Sequence, residues 1–369
     1  MKAALFSIAL ATPVMAGTPE IDAARERESF LSTLFAGTQR VDAEVEGLTS
    51  DDIRIWRESL TYEQDRDDWI FTAAAAHRSL EIDYRPTIVT SPAHRREDTW
   101  EGSLEIARRL SSAWEVSLSG RAYDGFADYR SLWIAEYYDQ FVGFLPGYEK
   151  ADPHGLSATL EAAWDYLPRT GQLTAAFTFG RDTIVPAWSA LGLDLERTRD
   201  VLDTFSGSLA WQAALSPRVK MQHTLRATQI TAREPRVQFQ SEAAWALTDR
   251  LTLRAHAGGA REQPDFDAWY GGLALDCRLA PQWHAQLTAR LYEDSGEISS
   301  SNFNTAAPGV ATRELALSLL WSNDITSLRL SVGHYDTDYA PLDDNNLFFG
   351  NLYCDRDFLT TRLAFTHYF

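Results

Sequence analysis

The feature that most limits what this chain can become is a two-residue alternation that recurs from about residue 38 to the last residue. In the stretch LTTRLAFTHYF, Leu359, Leu363, Phe365 and Phe369 share one face with Thr361 and His367, while Thr360, Arg362, Thr366 and Tyr368 share the other. That is the period a strand imposes. Trp100, Leu104 and Ile106 likewise oppose Glu101, Ser103, Glu105 and Arg109, and Trp114, Val116 and Leu118 oppose Glu115, Ser117, Ser119 and Arg121. Near the end, Leu315, Leu317, Leu319 and Trp321 turn at SND into Leu328, Leu330 and Val332. Residues 53–63 are strand-like, but Glu58 shares a face with Trp56, Leu60 and Tyr62, so that strand cannot be oriented from its residues.

Two regularities separate a membrane barrel from a soluble sandwich. Tryptophans sit at strand ends on the apolar face (Trp100, Trp114, Trp164, Trp245, Trp269, Trp283, Trp321), where a barrel places its aromatic girdles. Short turns (SSA, TDR, APQ, SND) alternate with mostly longer links at 81–98, 124–154, 181–203, 292–311 and 335–356, as in outer-membrane barrels. Past the N-terminal segment no apolar run approaches the ~18 residues of a spanning helix, and lipid leaves an open sheet edge without partners. The expected fold is all-β: a transmembrane antiparallel β-barrel of about sixteen strands, with fourteen as the alternative, short periplasmic turns and long extracellular loops. A final strand that stops on Phe369 resembles the closing strand of Gram-negative outer-membrane β-barrels. The resemblance implies the outer membrane as location, lipid and lipopolysaccharide as surroundings, and the barrel-assembly machinery as a partner that reads this end.

Residues 1–16 carry Lys2, an apolar run and small residues at Val14 and Ala16, and read as a secretory signal. Residues 17–37 read as a short periplasmic segment with a short amphipathic helical pattern, and 38–369 as the barrel. The mean hydropathy of −0.29, with 12 Trp, 14 Tyr and 18 Phe, fits a chain that is polar on average and rich in aromatic rings. A net charge of −18 argues against nucleic acid, which needs a basic surface. Two cysteines exclude a disulfide scaffold, and Cys277 and Cys354, assigned to a strand end and an outer loop, are not expected to pair.

Sixteen strands enclose more space than their side chains fill, so a water-filled lumen is expected. The predicted lining is acidic early (Glu101, Glu105, Glu115, against Arg121) and basic late (Arg226, Arg254, Arg278, Arg290, Arg329, Arg362). Walls of opposite sign would create a transverse field; pairing between neighbouring strands would instead stiffen the wall. The link at 124–154 resembles, in position only, the third loop of general bacterial porins, which folds inward and narrows the barrel. Within it SLWIAEYYDQFVGF sets Trp133, Ile134, Tyr137, Tyr138 and Phe141 at helical spacing. Packed on the wall, that stripe would turn Glu136 and Asp139 toward the basic side, making Trp133, Glu136, Tyr137 and Asp139 the expected constriction; a loop over the outer rim is the alternative.

Hydrolytic motifs are weak. His77 with Ser79, or His334 with Asp336, have same-face spacing without a family motif, and the acidic run Asp336, Asp338, Asp343 and Asp344 lacks an ordered Ca-loop pattern. No catalytic residue, metal or cofactor is assigned. The expected function is porin-like passive diffusion of small hydrophilic solutes, with acidic loops favouring cations at the mouth. A non-conducting barrel for adhesion, scaffolding or envelope integrity, and a rim hydrolase, are the alternatives; a homotrimer is open.

Overall fold

The computed structural model describes residues 39–85, 90–126, 128–144, 150–168, 170–187, 198–231, 234–263, 266–296, 308–341 and 352–369. The predicted signal and the segment before the barrel lie outside them. Sixteen strands run β1 (Gln39–Thr49), β2 (Ile53–Arg66), β3 (Trp69–Tyr84), β4 (Ala93–Ser111), β5 (Trp114–Asp124), β6 (His154–Leu167), β7 (Gly171–Ala187) and β8 (Thr198–Ser216). They continue as β9 (Val219–Ile230), β10 (Arg236–Thr248), β11 (Leu251–Glu262), β12 (Phe266–Ala280), β13 (Trp283–Asp294), β14 (Val310–Ser322), β15 (Thr326–Tyr339) and β16 (Arg356–Tyr368). Each pairs antiparallel with its chain neighbours, and β1 pairs with β16 along Arg40–Thr49, which closes the cylinder. The fourteen-strand alternative is thereby excluded.

The oily faces point outward. Leu104, Leu118, Leu160, Phe177, Leu273 and Leu317 are all more than half exposed, whereas Thr288, Arg290, Ser318 and Thr366 on the opposite faces are buried. A soluble protein would invert this; a cylinder in hydrocarbon requires it. The unassigned strand β2 follows suit: Trp56, Leu60 and Tyr62 are exposed outward and carry Glu58 with them, leaving Arg57, Ser59, Thr61 and Glu63 inward.

Several strands exceed the ~9–11 residues that cross a membrane: β4 and β8 have 19 each. Part of what the sequence presented as loop is therefore hairpin standing above the hydrocarbon, on the rim opposite the termini. The links between β9 and β10 and between β11 and β12 are short. The boundary is marked chemically. Outward-facing charges pair between neighbouring strands in a collar: Arg96 with Glu81 (3.8 Å), Arg181 with Asp203 (2.7 Å), Arg261 with Asp267 (3.3 Å) and Arg313 with Asp336 (3.9 Å). Just below it stand Trp100 and Trp269; the other rim carries Trp114 stacked on Trp164, and Trp283 opposite Trp321. Cys277 on β12 and Cys354 before β16 form no disulfide.

Candidate functional site: the helix in the outer mouth

The link between β5 and β6 forms one helix, α1 (Tyr129–Val142). Asp128 caps its start, its carboxylate accepting from Ser131 N at 2.8 Å and Ser131 Oγ at 2.9 Å; at the other end Gly143 N donates to Asp139 O. Such caps satisfy end groups that a helix leaves open. Of the predicted stripe, Trp133, Ile134 and Tyr137 are buried, with Leu132 and Ala135 beside them, while Phe141 is 39% exposed. Helix-facing partners are inward residues of the barrel's outer third. Trp133 packs against Tyr84 of β3 at 5.2 Å and under the Arg356 guanidinium of β16; Tyr129 meets Phe358 and lies 3.5 Å, hydroxyl to hydroxyl, from Tyr339 of β15. The helix is folded into the mouth rather than laid over the rim.

Ion pairs fasten it. Arg95 Nη1 on β4 donates to Glu136 Oε2 at 2.8 Å and to Asp139 Oδ2 at 2.7 Å. Glu136 and Asp139 therefore do not look across the lumen at the later basic strands, because a nearer guanidinium holds both. Arg356 makes two 3.0 Å bonds to Asp52 in the β1–β2 turn and donates to Leu352 O, so the roof of the mouth ties the last strand to the first turn of the barrel. Both side chains are about 95% buried. Burial raises the Asp52 carboxyl, but the hydrogen bonds and charge of Arg356 outweigh it and hold the group below its ordinary value. Burial pushes the Asp128 carboxyl up, only partly offset by Ser131 and Arg130. Arg130 itself lies buried between the Tyr129 and Tyr339 rings, 5.9 and 5.7 Å from their centroids, a cation over two ring faces.

The predicted lining residues face inward, but mostly as pairs. Arg121 meets Glu101 (2.7 Å), Arg254 meets Asp276 (2.8 Å), Arg290 meets Glu314 (3.0 Å) and Arg362 meets Glu44 (2.8 Å). Glu115 lies 3.7 Å from Arg109. Glu105 stands opposite Ser119, and Arg329 opposite Ala364. The expected opposition of an acidic and a basic wall is corrected accordingly: cross-strand partners neutralise most of the charge locally. Among the described residues Arg57, Arg226 and Arg278 make no ion pair. Arg57 stands directly opposite Arg78 on β3. Glu58 on the face of Trp56, Leu60 and Tyr62 hides the parity of β2 in the sequence, so the inward turn of Arg57 emerges only from the structure.

The hydrolytic candidates do not assemble as spaced. Ser79 Oγ is buried without a hydrogen-bond partner, so His77 does not activate it; His77 Nε2 sits 3.2 Å from Asp98 instead. His334 Nε2 lies 3.3 Å from Asp357, and Asp336 belongs to Arg313. Asp343 and Asp344 lie outside the described residues.

No family model and no curated protein sequence matches the chain. Among solved structures it is similar to CdiB from Acinetobacter baumannii at 9% identity and TM-score 0.53, covering 90% of this chain and 60% of that one. The chain thus spans about three fifths of CdiB. It is also similar to a bacterial polysaccharide outer-membrane secretin at 9% identity and TM-score 0.51, covering 90% and 98%. At such identity the likeness is one of fold. Together with the outward apolar belt and the two tryptophan rims, it makes this protein a closed sixteen-strand outer-membrane β-barrel.

Proposed function

We propose that the barrel is a passive channel for small hydrophilic solutes and that α1 narrows it. The observation that carries this reading is a helix anchored by Arg95 inside the mouth of a cylinder whose wall below it bears charged and hydroxyl side chains. A polar lining is of use to a barrel that holds water. The net charge of −18 favours cations at the mouth, whereas Arg57, Arg226 and Arg278 set positive potential on the wall. We read no hydrolytic function, since Ser79 Oγ is covered and has no hydrogen bond to His77, which is held by Asp98.

One observation favours a second reading, a non-conducting barrel. The buried apolar residues of α1 belong to a single cluster with inward side chains of both flanks, among them Leu80, Leu202, Ile230, Tyr292 and Phe358, and an apolar layer of this kind seals against ions by dewetting. Planar-bilayer recording decides. Stepwise currents at fixed voltage support the channel; silence from correctly folded protein overturns it in favour of the sealed barrel.

A further inference from the structure

On the outer surface, where β16, β1, β2 and β3 adjoin, lies a groove of about 420 Å³. Ala43 and Ala75 leave space that larger side chains fill elsewhere on the belt, and Leu328, Leu363 and Phe365 complete its apolar lining; Glu58, His77 and Trp100 also border it. His77 is held by Asp98 and by Trp100, whose ring centroid lies 4.4 Å from its own. Glu58 is different: it is exposed, directly opposite His77 and Val45, and among the described residues it has no ion pair or hydrogen bond. It lies on the outward face of β2 with Trp56, Leu60 and Tyr62, on the membrane side of the collar residue Arg54. A carboxylate at the edge of hydrocarbon is costly unless a cation meets it.

We propose that this groove is a binding site for an ethanolamine-headed phospholipid, with one acyl chain along Leu363 and Phe365 and the ammonium at Glu58. The volume suits an acyl chain rather than a folded partner's side. Charge selects the head: an ammonium offers what Glu58 lacks, and an anionic head would meet both Glu58 and Asp98. A second copy of this chain fits less well, because the outward arginine of its own belt, Arg108, already lies over the Trp69 ring, 5.0 Å from its centroid.

The test is lipid retention by the purified full-length barrel, read by native mass spectrometry after delipidation and incubation with phosphatidylethanolamine or phosphatidylglycerol of identical chains. The wild type is expected to retain phosphatidylethanolamine about tenfold over phosphatidylglycerol, a difference of one decade in affinity. Glu58→Gln, which removes only a charge from the lipid face and so folds, should erase the preference. Ala75→Phe, which fills the groove, should lower retention of both lipids. Equal retention of the two lipids by the wild type, a preference that survives Glu58→Gln, or a lipid-free dimer lost on Ala75→Phe would each overturn the proposal. None of these readouts depends on whether the barrel conducts.

Discussion

Arg95 on β4 and Asp139 on α1 are 2.7 Å apart, and the same guanidinium holds Glu136 one helical turn earlier. The helix thus stays in the mouth because of a charge placed on the wall beside it, with the three side chains each at least 86% buried. Arg95→Glu would set four acids together, since Glu97 also lies 2.8 Å from Arg95. Breaking a buried pair of this kind costs about 3–5 kcal/mol, enough to free the helix while the cylinder persists. Single-channel recording should then show larger and noisier openings than the wild type. Identical conductance would remove α1 from the pathway.

Unpaired wall cations should set ion selectivity more than paired ones. Arg226→Glu and Arg278→Glu reverse charges that no neighbouring carboxylate neutralises, and should move the reversal potential in a salt gradient toward cations. Arg290→Glu faces Glu314 at a pair that is at least 90% buried, so its main effect should be lost stability of about 3–5 kcal/mol. If Arg226→Glu and Arg278→Glu both leave the reversal potential unchanged, these positions do not line a conducting path.

The roof pair has a pH signature. Asp52 titrates below its ordinary value when folded, so its contribution is present above the unfolded carboxylate value of about 3.9 and is lost as pH falls through the folded one. The heat-unfolding temperature should therefore drop below about pH 4, and Asp52→Asn should flatten that limb while lowering stability at pH 7. Asp128 acts with the opposite sign. Its raised value means that ionisation opposes folding, so acidification relieves a strain there. A wild-type profile unchanged in Asp52→Asn would show that other groups dominate the acid limb.

The belt can be checked by placing a lysine on either face. Leu317→Lys, outward and 60% exposed, should cost about 2–4 kcal/mol on folding into vesicles. Ser119→Lys, inward and directly opposite Glu105, should be close to neutral. Equal costs from denaturant titration would mean that the two faces do not meet different solvents.

Much of this was legible because lipid imposes a binary choice on each strand. Leu104 out and Glu105 in follow from alternation alone, as does the outward turn of Trp100. What escaped reading depends on distance along the chain. Arg95 lies 41 and 44 positions from Glu136 and Asp139, and Asp52 lies 304 from Arg356; no periodicity couples them, so the sense in which the helix carboxylates point could not be read. Glu58 misled for a chemical reason, since an acid on an oily face breaks the very signal used to tell the faces apart. The helix itself was visible in its aromatic spacing, but its depth in the barrel needed Tyr84, Tyr339 and Phe358, whose inward turn appears only once the strands run on past the membrane.

The Asp52–Arg356 bond also bears on how the cylinder resists opening. At the foot of the seam Phe369 N donates to Gln39 O, and at its head the first turn grips the last strand. A ring closed by its first and last strands would ordinarily fray where they meet. Here that joint is bolted top and bottom, so unzipping under heat or tension has to begin at some other hairpin.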